Sequence, residues 1–302
     1  MAARLVVAVN PAAGRGRGAE SGRRAVDALR AAGHEAHGLD APDAARLEAL
    51  LRDRIRRDPP DAVVVVGGDG TVHLAVNVLA QTGTPLGIVP VGTGNDLARC
   101  LGLPHEDPGA AIDRLLTALG GEVPRTRDVD AVRTSAGRWF AGMLSAGFDA
   151  AVNARANRMQ RLSGTPRYVA AVLLEVLGLR PRAYRITTDR DTRRLEAVLV
   201  TVGNSASIGG GMRLTPDARM DDGLLDVLLA APLKRVQLLR LLPKVFDGSH
   251  VLDEHVEMLR GRVVTIDTDD RGPAITAYAD GEPLAPLPLT VEVVPGALRV
   301  LG

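Results

Sequence analysis

The chain has 302 residues, of which 46% are hydrophobic and 24% charged, and its formal net charge is +1. This length suits two domains, and this balance of residues is typical of a globular protein. A charge so close to zero argues against a nucleic-acid-binding protein held by bulk electrostatics, and an aromatic content of 2% leaves no platform for stacking bases.

Residues 1–127 alternate between strand and helix patterns. Strands are predicted at Arg4–Val9 and at the apolar runs AVVVVG (62–67) and PLGIVPVG (85–92). Helices are predicted where apolar residues recur with helical spacing, at 25–32, 47–55, 72–79 and 111–119. This alternation predicts an α/β domain with a parallel sheet that is flanked by helices.

From residue 128 onwards the pattern changes to short strand-like runs that are separated by turn residues. The runs are DVDAVR (128–133), RWFAGMLS (138–145), YRITT (184–188), EAVLVTVGN (196–204), LLDVLLA (224–230), RVVTID (262–267), TAYAD (276–280) and LTVEVVPG (289–296). They predict a mainly antiparallel β domain. Two helical segments are expected within it, near 150–179 and 234–246.

Cys100 is the only cysteine, which excludes a disulfide within the chain and favours a reducing compartment. It lies in an apolar helical stretch, where we expect a buried and unreactive thiol. The first apolar run is too short for a signal peptide, and the run at 168–179 contains Glu175 and falls short of the ~20 residues of a membrane span. We therefore expect a cytoplasmic protein.

Three strand ends of the first domain are rich in glycine: NPAAGRGRG (10–18), GGDGT (67–71) and GTGND (92–96). Ligands bind beyond the carboxyl ends of parallel strands, and glycine lets backbone N–H groups approach phosphate oxygens. A single Gly-Asp-Gly is most often only a turn, but three such loops on one sheet favour a phosphate site. Asp69 and Asp96 would repel phosphate, which indicates an intervening magnesium ion.

Other phosphate-binding motifs are absent from the sequence. There is no G-x-x-x-x-G-K-[ST] loop, GRGRG does not fit the dinucleotide pattern G-x-G-x-x-G, and no protein-kinase catalytic signature occurs. His250 and His255 are five residues apart, which does not place both rings on one helical face and argues against a zinc site.

In combination, five motifs resemble a known family. VNPAAGRG, VVVVGGDGTVHLAVN and GIVPVGTGNDLAR resemble the catalytic domain of diacylglycerol kinases. VGNSASIGGGMRLTPDARMDDGLLDV (202–227) and YADGEPL (278–284) resemble the second domain of the soluble bacterial lipid kinases. The GGDGT motif alone is not specific, because NAD kinases and phosphofructokinases share it. The resemblance covers nearly the whole chain.

The resemblance implies an ATP-dependent lipid kinase with an ATP-binding α/β domain (1–127), a β-sandwich domain (128–287) that takes the lipid, and a C-terminal tail (288–302) that returns to the first domain. It implies that Asp69, Asp96 and Asp222 form an aspartate–water–Mg²⁺ network, with a structural Mg²⁺ bound by Asp222 and the carbonyls of Arg219 and Leu224. The nucleotide-binding residues that it implies are Asn10, Pro11, Ala12, Ala13, Gly14, Gly67, Gly68, Asp69, Gly70, Thr71, Val72, His73, Gly92, Thr93, Gly94 and Asn95.

The same resemblance implies that Glu282 is the catalytic general base, beside Asp69 and Asp96. A glutamate with an ordinary pKa near ~4.3 is ionised at neutral pH and can accept a proton. The residues alone leave another interpretation open, in which Asp280-Gly281-Glu282 is a hairpin turn with solvated carboxylates. The arginine that meets the phosphate charge is also open among Arg15, Arg17, Arg23 and Arg24.

Seven arginines at 155–185 predict peripheral contact with the inner face of a membrane: Arg155, Arg158, Arg161, Arg167, Arg180, Arg182 and Arg185. A solvated helical face would explain them equally well. The preferred function is the transfer of the γ-phosphate of ATP to diacylglycerol or a related lipid, giving phosphatidic acid. The alternatives are a kinase of a sphingoid lipid, a prenol-like lipid or NAD, and a non-catalytic nucleotide-binding regulator. A dimer is one of the oligomeric states left open.

Overall fold

The computed structural model describes residues 2–147, 152, 155, 159, 170, 171, 174, 175, 180–269 and 272–302. The chain divides into two compact units, residues 1–131 with 295–302, and residues 132–294. Two strands, β5 (Thr126–Thr134) and β16 (Leu289–Leu301), begin in one unit and end in the other. Whether each unit folds as an independent domain stays a prediction.

The first unit is an α/β fold, as the sequence predicts. Its strands are β1 (Arg4–Val9), β2 (Glu35–Asp40), β3 (Ala62–Gly67) and β4 (Leu86–Pro90). Its helices are α1 (Ala13–Ala31), α2 (Ala44–Arg57), α3 (Asp69–Leu79), α4 (Asp96–Cys100) and α5 (Pro108–Leu119). The strands pair in parallel in the order β2-β1-β3-β4, and the C-terminal end of β16 lies beside β4.

The burial of the central strands explains this arrangement. Every residue of β3 is buried, which requires cover on both faces of the sheet. On one face, Ala25 and Leu29 of α1 and Ile112 and Leu115 of α5 pack in one core with the strands. Helix α3 is buried from Thr71 to its end, so it lies in the interior of the unit.

Strand β2 is absent from the sequence-based prediction. Ala36 is its only buried residue, and it pairs with β1 at the edge of the sheet. Its sequence, EAHGLD, has neither an apolar run nor a clean alternation, because an edge strand of this kind buries so little surface.

The second unit contains two antiparallel sheets, as predicted. One sheet has the order β12 (Val256–Gly261), β11 (Leu225–Ala230), β10 (Leu199–Gly203), β7 (Met143–Gly147), β14 (Thr276–Ala279) and β15 (Glu282–Pro286). The other joins β16 to β13 (Val263–Thr268), β8 (Arg182–Thr188) and β9 (Thr192–Ala197). A short β6 (Trp139–Phe140) pairs with β5.

Side chains from both sheets meet in one core, which makes this unit a β-sandwich. Val200 and Val227 come from the first sheet, and Ile186, Val264 and Val291 from the second, and none is measurably exposed.

The predicted run EAVLVTVGN (196–204) is two strands and not one. It breaks at Val198, where the chain passes from β9 in one sheet to β10 in the other. The run RWFAGMLS (138–145) likewise divides between β6 and β7. Strands β12 and β15 have no counterpart in the prediction, because each lies at a sheet edge and neither is fully apolar.

The single helical segment predicted near 234–246 is divided into two helices after β11, α6 (Arg235–Leu241) and α7 (Lys244–Asp247), and a 3₁₀ turn follows at Ser249–Leu252. Most of the other predicted helical segment, 150–179, lies outside the described residues. Among the residues that the structure describes, no helix is both long and apolar enough to cross a bilayer. Cys100 is half-buried and not fully buried as predicted.

Candidate active site

The three glycine-rich loops lie at the same edge of the first unit's sheet. They follow β1, β3 and β4, which are neighbouring parallel strands. The chain passes from β1 outwards to β2 and then returns to the other side of β1 as β3, so the order of strands reverses between β1 and β3. This reversal is the position at which open α/β sheets bind ligands.

Glycines allow the three loops to pack against one another. A methyl group on Gly14 would lie 2.2 Å from the carbonyl oxygen of Val91, and one on Gly92 would lie 2.7 Å from the Cα of Gly68. Neither position has room for a side chain, so these glycines bring the first loop against the third and the second against the third.

The first loop overlaps the assigned beginning of α1, but its backbone there is not helical. Gly14, Arg15 and Gly16 all have positive φ angles, of 58°, 62° and 91°, although Arg15 is not a glycine. Arg17 Nε donates to the carbonyl oxygen of Gly14 at 3.1 Å. Consecutive residues of this kind turn backbone N–H groups towards one side, which suits an anion. The four arginines that the sequence offers as phosphate partners, Arg15, Arg17, Arg23 and Arg24, are all exposed.

Asn10 connects the first loop to the second. Its Nδ2 lies 3.3 Å from Oγ1 of Thr71, and its Oδ1 accepts the backbone N–H of Ala12 at 3.1 Å. One end of the side chain thus holds the backbone of the first loop and the other binds a side chain of the second, which makes Asn10 a positioning residue for the loops.

Asp69 connects the second loop to the third. It is the first residue of α3, and its carboxylate accepts the backbone N–H groups of Asn95, at 2.9 Å, and of Asp96, at 2.7 Å. A carboxylate in the first turn also interacts favourably with the helix dipole. Asp69 therefore has a structural role in addition to the metal role that the sequence predicts.

Asp69 and Asp96 border the same glycine. A methyl group on Gly94 would lie 2.7 Å from Oδ2 of Asp69 and 3.3 Å from Oδ2 of Asp96. Two carboxylates that approach one glycine form a site of concentrated negative charge with hard oxygen ligands, which is the chemistry that Mg²⁺ requires. These residues fit the ion that the sequence predicts.

Asn95 supports the third loop from inside. It has a positive φ of 52°, is 8% exposed, and donates from Nδ2 to the carbonyl oxygens of Gly92 and His105. An asparagine tolerates this backbone conformation better than other non-glycine residues. It holds the loop and does not present its amide group to solvent.

Several predicted nucleotide-binding residues have buried side chains. Thr71, Val72 and His73 lie in α3 at 5%, 4% and 6% exposure, and His73 Nε2 is 3.2 Å from Nδ2 of Asn77. Only their backbone could meet a ligand at this edge. The more accessible predicted residues are Ala12, Gly70 and Thr93, which are exposed, and Asn10, Pro11, Ala13, Gly14, Gly68, Asp69, Gly92 and Gly94, which are half-buried.

In the second unit, Asp222 lies in an exposed turn with Gly223, whose φ is 68°. Oδ1 of Asp222 accepts the backbone N–H of Leu224 at 3.0 Å, and Oδ2 is 3.8 Å from the guanidinium of Arg260. Arg219 pairs with Asp221, and this hydrogen bond raises the pKa of Arg219. The structure thus places the predicted residues in one turn.

Arg260, which lies next to the Asp222 turn, makes two hydrogen bonds to the buried Asp226. Its Nε donates to Oδ1 at 2.7 Å and its Nη2 donates to Oδ2 at 3.1 Å. Hydrogen bonding to Asp226 raises the pKa of Arg260. Within the described ranges, no three His, Cys, Asp or Glu side chains converge on one point. A magnesium ion at Asp222 would therefore need backbone carbonyls and water as its further ligands, which is the kind of set that the sequence predicts.

The YADGEP segment forms a tight hairpin between β14 and β15. Asp280 and Gly281 have φ angles of 51° and 84°, as a two-residue turn of this type requires, and Glu282 pairs with Ala279 as the first residue of β15. The Glu282 side chain is exposed. The hairpin is the alternative that the sequence left open, and it leaves the predicted role of Glu282 untested.

Asp280 has a role that the sequence analysis missed. Its carboxylate accepts three backbone N–H groups, from Ala141 at 3.2 Å and from Gly142 and Met143 at 3.0 Å each. The expectation of solvated carboxylates is therefore wrong for Asp280. Gly142 has no room for a side chain, because a methyl group there would lie 2.6 Å from Oδ1 of Asp280. The nearest sequence signal was an aspartate before glycine, which indicates only a turn.

Two of the seven arginines at 155–185 form ion pairs with acidic residues in the structure. Arg155 pairs with Glu175, and Arg185 pairs with Asp267 and Asp269. Arg158, Arg161 and Arg167 lie outside the described residues. Membrane contact by this segment stays a prediction.

Comparison with protein families gives two matches along the chain. Residues 4–124 match the diacylglycerol kinase catalytic domain, and residues 142–302 match the YegS C-terminal NAD kinase beta sandwich-like domain. The chain belongs to the diacylglycerol kinase family. As a member of this family of lipid kinases, it is a phosphotransferase with an alcohol group as acceptor.

Individual relatives are similar over most of their length. The diacylglycerol kinase of Mycobacterium tuberculosis is 38% identical over 302 residues, which cover 99% of this chain and 94% of that protein. The probable lipid kinase YegS-like of Chromohalobacter salexigens is 32% identical over 81% of this chain and 78% of its own length. The diacylglycerol kinase of Bacillus subtilis is 29% identical over 77% and 73%.

Solved structures share the fold. A protein from Bacillus anthracis that was proposed to be a diacylglycerol kinase superposes with a TM-score of 0.81 at 24% identity, over 99% of this chain and 96% of its own. At this identity, the likeness establishes the architecture of an α/β unit followed by an antiparallel β-sandwich.

Proposed function

We propose that this protein transfers the γ-phosphate of ATP to the hydroxyl group of diacylglycerol or a related lipid and forms phosphatidic acid. The observation that carries the proposal is the meeting of three glycine-rich loops at the strand-order reversal between β1 and β3, with Asp69 and Asp96 beside Gly94. The names of the relatives support diacylglycerol as the acceptor.

The nucleotide phosphates would bind to backbone N–H groups. The first loop offers them at Gly14, Arg15 and Gly16, where the positive φ angles turn the peptide groups. The beginning of α3 offers them beside Gly70, where the helix dipole favours an anion. Either of the exposed side chains of Arg15 and Arg17 can reach outwards and neutralise further phosphate charge.

Asp69 and Asp96 would hold Mg²⁺ directly or through water. When it is bound, the ion neutralises charge on the phosphoryl group that is transferred. Two backbone N–H groups already hold the carboxylate of Asp69 in place, so it is positioned at this edge of the sheet before the ligand binds. Asp222 is proposed to hold a separate structural Mg²⁺ with the carbonyls of Arg219 and Leu224.

Glu282 is proposed to accept the proton of the lipid hydroxyl. The exposed carboxylate stands on a hairpin whose turn is anchored by Asp280, so its backbone is fixed while the side chain is accessible. A lipid acceptor also places the reaction at a membrane surface, to which the enzyme binds peripherally.

Incubation of the purified protein with γ-³²P-labelled ATP, Mg²⁺ and a panel of acceptors tests the proposal. The panel contains diacylglycerol, a sphingoid base and a prenol in mixed micelles, and NAD in solution. Label in phosphatidic acid alone is the expected result. Label in NAD would favour the second candidate, for which the NAD kinase beta sandwich-like description of residues 142–302 is the motive. If the protein is a nucleotide-binding regulator without catalytic activity, none of the four acceptors will be labelled.

A further inference from the structure

Helices α6 and α7 form one nearly continuous helical segment. The two residues between them, Leu242 and Pro243, both have right-handed helical backbone angles, of φ −51°, ψ −47° and φ −62°, ψ −35°. Pro243 has no N–H group, and a proline within a helix removes one hydrogen bond and introduces a kink. Because the backbone angles at Leu242 and Pro243 stay helical, side chains at 235–247 can still be placed on one helical wheel.

One side of this segment is packed into the second unit. Leu241 and Val245 are buried in a core with Met143 and Leu228, and Leu238 packs against the same core. Leu242 packs instead against a small cluster that contains Val152 and Ala171. At 100° per residue, the packed positions 238, 241, 242 and 245 span about 100° of the helix.

A second apolar stripe faces solvent. Val236, Leu239 and Phe246 are 59%, 41% and 45% exposed, and Pro243 between them is also exposed. At 100° per residue, these four positions lie within an arc of about 80°. An exposed group of large apolar side chains that share one arc indicates an interaction surface, whereas isolated exposed residues do not.

Basic residues flank the stripe. Lys234, Arg235, Arg240 and Lys244 are all exposed, and Asp247 is the acidic residue between 232 and 247, which gives a net charge of +3. Lys234 and Lys244 are the only lysines of the chain. Part of the charge of Lys244 is opposed by Asp253, whose carboxylate lies 3.8 Å from Nζ.

We propose that residues 234–247 are a surface that docks on an anionic lipid bilayer, with Val236, Leu239, Pro243 and Phe246 inserted among the lipids. An amphipathic helix with an apolar stripe and basic flanks lies in the plane of a membrane interface, and its charge selects anionic lipid. A dimer contact would have to bring the same +3 surface of two copies together, which electrostatic repulsion opposes. The inference rests on the proposed lipid kinase function, and it concerns other residues than the seven arginines at 155–185.

Binding to sedimented vesicles tests the surface. Full-length wild type is compared with the Leu239→Glu/Phe246→Glu variant on vesicles of phosphatidylcholine that contain phosphatidylglycerol, and on vesicles of phosphatidylcholine alone. We expect the variant to bind the anionic vesicles at least about tenfold more weakly, because two large apolar side chains no longer enter the bilayer. Val123→Glu, which changes an apolar residue that is 73% exposed in the first unit, is the matched control and should bind like wild type.

The charge is tested separately with Arg240→Glu/Lys244→Glu. Each basic residue near an anionic surface contributes roughly 1 kcal/mol, so this variant should bind at least about 30-fold more weakly, and wild-type binding should fall as salt is raised. Activity on a short-chain diacylglycerol dissolved as a monomer should equal that of wild type in both variants, since the surface contributes nothing to a soluble acceptor.

Three results would each contradict the proposed docking surface: no vesicle binding by wild type, equal binding by wild type and both variants, or equal binding to neutral and anionic vesicles. A dimer in light scattering that dissociates in Leu239→Glu/Phe246→Glu would show that a second copy covers the stripe. Failure of the proposed lipid kinase function would give a different result, because wild type would then transfer label to no lipid. The vesicle-binding assay would still test the docking surface in that case. If the apolar double variant loses its thermal transition, the charge variant gives the decision.

Discussion

The backbone N–H of Asp96 donates a 2.7 Å hydrogen bond to Oδ1 of Asp69. Together with the bond from Asn95 to Oδ2, it links the beginning of α3 to the beginning of α4. The same carboxylate is one of the two that are proposed to bind magnesium at this edge of the sheet. Substitution of Asp69 should therefore change both stability and activity.

Asp69→Ala should lower the free energy of unfolding by about 2–4 kcal/mol, because it leaves two backbone N–H groups without their charged acceptor. Asp69→Asn keeps one oxygen acceptor and should lose less stability, yet it removes the charge that would bind Mg²⁺. Urea denaturation and lipid kinase assays on both variants separate the two roles. Wild-type activity in a stable Asp69→Asn variant would show that the role is structural only.

Asp280→Ala should destabilise the β14–β15 hairpin, since three backbone N–H groups at 141–143 lose their acceptor. We expect the free energy of unfolding to fall by about 3 kcal/mol or more. Asp221→Ala removes an exposed aspartate that pairs with the exposed Arg219, and it should leave stability nearly unchanged, because solvent screens exposed ion pairs. Equal effects of the two substitutions in urea denaturation would contradict the anchoring role.

The fold was predictable wherever burial imposes a pattern. Strand β3 is buried on both faces and has a continuous run of valines, so its position was evident from the sequence. Strand β2 buries only Ala36, and so little burial leaves no periodic signal. The change of sheet at Val198 was also hidden, because adjacent apolar strands in two sheets look like one long run.

The candidate site was predictable as a set of loops but not as a set of contacts. Parallel strands bring loop residues together at one edge, so Gly14, Asp69 and Gly94 could be grouped from the sequence. Asn95 and Asp96 are 26 and 27 residues away from Asp69 in the chain. Their hydrogen bonds to Asp69 depend on how two loops pack together, and no local sequence pattern encodes that packing. The bond between Asp280 and Gly142 spans 138 residues and was equally inaccessible.

His250 should make stability depend on pH. It is 2% exposed, Nε2 lies 3.1 Å from the carbonyl oxygen of Leu214, and burial lowers its pKa below the ordinary value of 6.5. The unfolded chain therefore binds the proton more readily. The stabilising contribution is complete above pH 6.5 and is lost as the pH falls through the folded-state pKa.

Urea denaturation between pH 7.5 and pH 5 measures this loss, with about 1.4 kcal/mol for each unit by which the pKa is lowered. His250→Gln cannot be protonated, so its stability should decline less over this range than that of wild type, although its stability at pH 7.5 is lower because a buried contact is disturbed. Parallel curves for the two proteins would assign the pH dependence to other groups.

Glu282→Gln tests the proposed general base. The substitution keeps the shape of the exposed side chain and leaves the turn at Asp280 and Gly281 unchanged, so the fold should be preserved. General-base catalysis typically contributes about 10²–10⁴-fold, and kcat for lipid phosphorylation should fall by this factor. Nucleotide affinity should stay close to that of wild type, because the proposed phosphate-binding groups belong to the loops after β1, β3 and β4.

A fall in kcat of less than about tenfold, with phosphoryl transfer shown to be rate-limiting, would exclude this role. Asp280 would not then replace Glu282, since its carboxylate is already bound to three backbone N–H groups and Asp280→Ala should act through stability.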